Sequence, residues 1–179
     1  MKTLIKKCSL PFVIIFIFII SFSQKASAQF FAGGDFNVTF LNGVNIDVAP
    51  IGGYKYKNFS AGISPVIQYT ATSPLALGGQ FSYGGRIFAE YSIWKGIFAH
   101  AEFQALNSGY LENSIGDIYK KGVWVMGAPI GVGYERELTG GLWLKVMVLY
   151  DALLDINIQP NSPQQNPSIR GGLTYVFNN

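Results

Sequence analysis

Residues 80–94 read Gln80-Phe-Ser-Tyr-Gly-Gly-Arg-Ile-Phe-Ala-Glu-Tyr-Ser-Ile-Trp94, followed by Lys95-Gly96 and then Ile97-Phe-Ala-His-Ala-Glu-Phe-Gln-Ala-Leu106. A β-strand sends successive side chains to opposite faces, so alternate residues show what each face carries. In the first run one face is Phe81, Tyr83, Gly85, Ile87, Ala89, Tyr91 and Ile93, and the other is Gln80, Ser82, Gly84, Arg86, Phe88, Glu90 and Ser92. In the second run Ile97, Ala99, Ala101, Phe103 and Ala105 oppose Phe98, His100, Glu102, Gln104 and Leu106. The stretch is a predicted β-hairpin with one uncharged face. Its opposite face carries Arg86, Glu90, His100 and Glu102.

The same unit recurs on both sides. A first strand over about 30–41 sets Phe36, Val38 and Phe40 against Asp35, Asn37 and Thr39, and Asn42-Gly43 is a strong turn signal because both residues tolerate positive φ. A second strand over about 45–56 puts Ile46, Val48, Tyr54 and Tyr56 opposite Asp47 and Lys55, and a third runs over 59–70 after a turn at Lys57-Asn58. Pro50 and Pro65 interrupt these two; proline cannot donate to a ladder, so a bulge or bend is expected at each. A sixth strand is predicted over 123–136, a turn over 138–141, a seventh strand over 142–155 and an eighth over 168–177. Glu135 falls on the polar face of the sixth, Lys145 and Asp151 on that of the seventh, and Arg170 on that of the eighth.

Eight strands is an even number. The connections at 57–58, 95–96 and 138–141 are short, whereas 71–79, 107–122 and 157–167 are long; Asn42-Gly43 is the exception. Short turns at one end and long loops at the other are the pattern of an outer-membrane barrel.

The chain opens with a basic segment, Met1 to Lys7, followed by an apolar run from Leu10 to Phe22 and then Ala26-Ser27-Ala28. This is a predicted secretory signal peptide over 1–28, cleaved after Ala28, with Ala26 and Ala28 as the small residues of the cleavage site. The alternative is a membrane anchor, but the apolar run is shorter than the roughly 20 residues that span a bilayer. Cys8 leaves with the signal, so the mature domain, 29–179, has no cysteine and no disulfide or thiol chemistry. The signal also holds Lys2, Lys6, Lys7 and Lys25, so the 13 basic residues fall to 9 against 10 acidic ones. That leaves no basic patch to suggest a nucleic-acid partner.

Charge placement decides between the two all-β readings. Asp35, Asp47, Lys55, Arg86, Glu90, Glu102, Glu135, Lys145, Asp151 and Arg170 all share the polar faces, and the remaining mature charges lie in loops, turns or strand ends. A soluble barrel needs the reverse, a wet outside and an apolar inside. A charge facing lipid at mid-bilayer costs about 2–4 kcal/mol, so eight uncharged faces are the expected trace of a lipid-facing wall. The alternative is a β-sandwich with one buried face. The fold class expected is therefore an eight-stranded antiparallel transmembrane β-barrel. Aromatics at strand ends, among them Tyr56, Tyr91, Tyr134, Tyr175 and Phe177 on one rim, suit interfacial girdles.

The lumen of such a barrel is about wide enough for its own side chains. Opposite charges within it are expected to pair, with Arg86 and Glu90 near His100 and Glu102, and Lys145 and Asp151 near Arg170. The principal reading is a structural salt-bridge network of Asp35, Lys55, Arg86, Glu90, His100, Glu102, Glu135, Lys145, Asp151 and Arg170; a narrow ion pathway is the alternative. His100 is the sole histidine, so one metal site of zinc type cannot be built around it, and no cofactor motif is present.

With its signal, strand pattern and the ending Gly172-Leu-Thr-Tyr-Val-Phe177, the chain resembles the small outer-membrane β-barrel family of Gram-negative bacteria, the OmpA/OmpX-like or "porin family" barrels. The resemblance covers residues 29–179. It implies a location in the outer membrane with periplasmic termini, contact with outer-membrane lipid and lipopolysaccharide, and Tyr175 and Phe177 as a terminal signal for the barrel-assembly machinery. Asn178-Asn179 follow Phe177, a departure from that ending. Members differ in function. A non-enzymatic envelope-structural role, or recognition of a surface ligand through loops 71–79, 107–122 and 157–167, is the expectation. A narrow pore is the runner-up. A lipid A-modifying enzyme is third, because His100 has no serine two residues away and faces the lumen rather than lipid.

Overall fold

In a computed structural model of the chain, residues 28–39, 44–71, 79–108, 123–153 and 166–177 are described. Residues 1–27 of the expected 1–28 signal segment, Ala26 among them, the Asn42-Gly43 turn and most of the three long loops lie outside them. Ala28 immediately precedes the first strand. The described residues form β1 (Gln29–Thr39), β2 (Val44–Tyr56), β3 (Phe59–Ala71), β4 (Gly79–Trp94), β5 (Ile97–Ser108), β6 (Val123–Gly127), β7 (Pro129–Thr139), β8 (Leu142–Asp151) and β9 (Ser168–Val176). All pairings are antiparallel, β9 pairs with β1 and β4 pairs with β5, so the sheet closes on itself.

β6 and β7 are two lengths of one stave, which gives the closed ring eight staves. The two keep a common register against β5, with Gln104 opposite Gly127 and Ala101 opposite Ile130. The break at Ala128 was not anticipated by an unbroken sixth strand. Pro129 follows it without an N–H, and the Ala128 amide turns to Asp151 Oδ1 at 2.8 Å. The seventh predicted strand ends earlier than expected, at Asp151, for the same reason: its side chain caps Ala128 and Leu153 amides instead of continuing a ladder. The predicted four-residue turn 138–141 is a two-residue turn at Gly140-Gly141, both at positive φ, and β7 continues to Thr139.

Following partners around the ring gives its shear. Ser92 faces Phe98, then Gly133, Met147, Arg170, Asn37, Asp47, Gln68 and finally Ser82, ten residues from the start on the same strand. For eight staves that shear corresponds to a strand tilt of about 40° and a radius of about 8 Å.

Of the bulge or bend expected at Pro50 and Pro65, the bulge is not formed. Val48 pairs with Ile67 and Gly52 with Ile63, the same register on either side, and the three pairs between are missing. That register sets Pro50 opposite Pro65. Each would have donated to the other's carbonyl, so two absent N–H groups delete one bonded pair without adding a residue. Ser64 Oγ donates to the Pro65 carbonyl at 3.2 Å. A register shift does occur between Ser92 and Trp94, which turns Ile93 and Trp94 both outward.

The wall is polar inside and apolar outside. Phe36 is 53% and Phe81 67% exposed, with Ile63, Ile87, Val132, Val146 and Ile169 similarly outward, while Arg86 is 3% and Glu102 5% exposed. Inside, apolar residues share the space with the charges. Phe31, Ile51, Phe88 and Val176 form one cluster, against which Trp143 packs; Phe98, Met147 and Leu149 form another; Ala49, Val66 and Leu106 a third. Phe31, Phe88 and Phe98 each lie opposite a glycine on the neighbouring strand, respectively Gly53, Gly62 and Gly133. A Cβ at any of the three glycines would overlap the facing ring.

Candidate functional site

Eight of the ten predicted lumen residues, with Asp47, can be followed through the structure from their strands. Glu90 and His100 are directly opposite on β4 and β5, and Glu135 and Lys145 directly opposite on β7 and β8. The interior sides of β2, β4, β5, β7, β8 and β9 then present their charged groups to one another across the lumen.

The contacts link into one chain. Lys55 Nζ lies 3.2 Å from Glu135 Oε1, and Lys145 Nζ lies 3.7 Å from Glu135 Oε2 and 2.5 Å from Glu90 Oε2. His100 joins the next carboxylates, with Nδ1 3.3 Å from Glu90 and Nε2 3.2 Å from Glu102. Arg170 donates to both oxygens of Glu102, at 2.7 and 3.4 Å, while Arg86 lies 3.7 Å from Glu102 and donates to Asp47 at 3.1 Å. The run crosses β2, β4, β5, β7, β8 and β9, and Glu102 is its hub, with Arg170, Arg86 and His100 around one buried carboxylate.

Aromatic rings pack between these groups. Lys145 Nζ sits 5.4 Å from the Phe98 ring and 5.8 Å from that of Phe31, and Phe88 stacks on His100 with centroids 5.8 Å apart. Toward the short turns Lys55 lies over Trp143, and Ser92 Oγ donates to Glu135. Sequence parity placed Phe88, Phe98 and Ser92 on the charged face without assigning them a role. The signal that could have found them is the glycine directly opposite each phenylalanine.

Two predicted members stand apart. The expected grouping of Lys145 and Asp151 with Arg170 is not formed. Lys145 faces Gly172 rather than Arg170, and its ammonium reaches Glu90 and Glu135. Arg170 spans the lumen to Glu102. Asp151 holds backbone amides at the Ala128 break, and the Asn166 side chain donates to its carbonyl. Asp35 is buried on the same interior face, with Oδ1 lacking a hydrogen-bond partner.

Both ring nitrogens of His100 are engaged by carboxylates, Nδ1 by Glu90 and Nε2 by Glu102. The carboxylates are occupied by buried cations. Among the described residues, no three His, Cys, Asp or Glu side chains are grouped to hold a metal. Directional contacts tie six strands together across the lumen.

Tyr175 and Phe177, the predicted terminal signal, are both outward and in edge contact at 4.9 Å. Phe177 also packs on Phe30, and its amide donates to the Phe30 carbonyl at 2.9 Å, beside the seam between β1 and β9. No protein-family model and no curated protein matches the chain.

Proposed function

We propose that the mature chain is an integral outer-membrane barrel of a Gram-negative envelope, non-enzymatic, with its ion-paired lumen closed and its long loops free for surface interaction. The observation that carries this reading is the inverted wall. Large apolar side chains point outward around the ring while Arg86, Glu90, Glu102, Lys145 and Arg170 are buried within. In water such a surface would be an association liability far beyond the patches monomers tolerate. In lipid it is the required one, and a closed barrel leaves no backbone edge unpaired.

Strand length supports the same reading. At a tilt of about 40°, an 11-residue strand such as β1 rises about 27 Å, against an apolar band of roughly 25 Å in membrane barrels. The outward ring of Phe30, Tyr54, Tyr91, Trp94, Tyr134 and Tyr175 at the short-turn end matches the amphipathic belt expected at a headgroup interface. The resemblance to OmpA/OmpX-like barrels points to the outer membrane, with lipopolysaccharide and the barrel-assembly machinery as its surroundings.

The test is gel mobility of the chain in outer-membrane extracts, boiled against unboiled. A heat-dependent shift in a membrane-bound protein is the expected result; a periplasmic protein with no shift would remove the membrane reading. Protease treatment of intact cells should then cut within 107–122 or 157–167 while the strands survive. In planar bilayers the wild-type barrel should conduct no more than the bare membrane, and a steady single-channel current would replace the closed lumen with a pore.

A further inference from the structure

The three described short turns solve one conformational problem in two ways. At Gly140-Gly141 the first residue has φ +49, and glycine adopts it without steric cost. At the other two turns the first residue is lysine, with φ +53 at Lys57 and +44 at Lys95. A side chain in the left-handed region costs roughly 1 kcal/mol, and lysine has no local hydrogen bond to offset it. Each lysine is also handled alike. Lys57 Nζ lies 5.2 Å from the centre of the Tyr56 ring, and Lys95 Nζ lies 4.7 Å from that of Trp94. Both rings point outward from the wall. The turns themselves are anchored: Ser92 donates to the Asn58 carbonyl, Glu135 to that of Gly96, and Val176 to that of Gly141.

We propose that this short-turn rim is a docking surface for the headgroups of anionic phospholipids, held by Lys57 on Tyr56 and Lys95 on Trp94, with the exposed Arg136 as a third cation. The inference rests on the membrane reading above, which sets the outward rings at the interface; an ammonium above such a ring is then level with lipid phosphates. Charge complementarity supports it. Among the described residues, the exposed acid beside this rim is Glu137, and its carboxylate already accepts from the Gly141 amide at 3.0 Å. The outward aromatic directs each ammonium to the lipid side of the wall rather than to the ion-paired lumen.

The test uses the mature chain refolded into vesicles of equal parts phosphatidylcholine and phosphatidylglycerol. Lipids retained on release are counted by native mass spectrometry, and heat-dependent gel mobility is followed in parallel. Retention of phosphatidylglycerol over phosphatidylcholine should be about fivefold for each lysine-bearing turn and should fall as salt rises. Lys57→Gly with Lys95→Gly removes the side chains at positions where glycine suits the backbone, so the barrel should form normally while retention approaches parity. Gly140→Lys adds a third lysine where a Cβ meets nothing within 4 Å and should raise retention. An inserted wild type with no preference, or a double variant that keeps it, overturns the proposal and leaves the membrane reading intact. Absence of any heat-modifiable, vesicle-bound form would overturn both.

Discussion

The β2–β3 and β4–β5 hairpins have similar lengths, similar two-residue turns and the same outward apolar stripe, yet they are built differently. The β4–β5 ladder is continuous from Ser82 and Ser108 to Ser92 and Phe98, and its interior face holds Arg86, Glu90, His100 and Glu102. The β2–β3 ladder lacks three pairs around Pro50 and Pro65. The interior residues beside that gap, Ala49 and Val66, are fully buried and pack on Leu106. Ion pairs are directional and costly to misplace, and on the charged hairpin they rest on a β4–β5 ladder that is unbroken between Ser82 and Ser92. Dispersion contacts are indifferent to direction, so an apolar patch tolerates the place where the frame is interrupted.

Breaking the charged hairpin should have the largest effect. Glu102→Ala would leave Arg170, Arg86 and His100 around an empty centre, and urea unfolding from lipid vesicles should show a loss of about 3–5 kcal/mol. A loss below about 1 kcal/mol would mean that the network is solvated rather than structural. A smaller loss is expected at the glycines beneath the phenylalanines. Gly133→Ala would press a methyl group into the Phe98 ring and should cost about 1–3 kcal/mol in the same assay. If Phe98→Leu in the same chain does not recover part of that loss, the clash is not its cause.

Mending the weaker hairpin should have the smallest effect, and the opposite sign. Pro65→Val supplies an N–H facing the Pro50 carbonyl. The gain should be about 1 kcal/mol, with slower amide exchange at Gly52 and Ile67 beside the gap. Unchanged exchange there would show that the missing pair does not weaken the seam.

Much of this comparison was legible in the alternation of residues 80–106. Which side of the wall each charge occupies follows from period two, and each of the strand charges predicted to face inward is on the interior. Height within the barrel is not carried by alternation. It depends on the ten-residue shear, which is a property of all eight pairings together. That is why Arg170 reaches Glu102 rather than meeting Lys145, two residues out of register on the adjacent strand. The prolines show the same limit. Each is visibly unfit for a ladder, but only the register reveals that they face one another and so delete one bonded pair instead of forcing two bulges. Asp151 is interior as expected, but its partners are backbone amides, and nothing local marks Ala128 as an amide in need of an acceptor.

The most direct test of the inverted wall compares two tryptophans. Trp124 points outward, and Trp143 packs against the interior cluster of Phe31 and Val176. Variants that keep one of them, with the other tryptophans replaced by phenylalanine, would be refolded into vesicles whose acyl chains carry bromine, which quenches on contact. Strong quenching of Trp124 with little effect on Trp143 is the predicted result. Equal quenching of both, or stronger quenching of Trp143, would contradict a barrel that turns its apolar face to lipid.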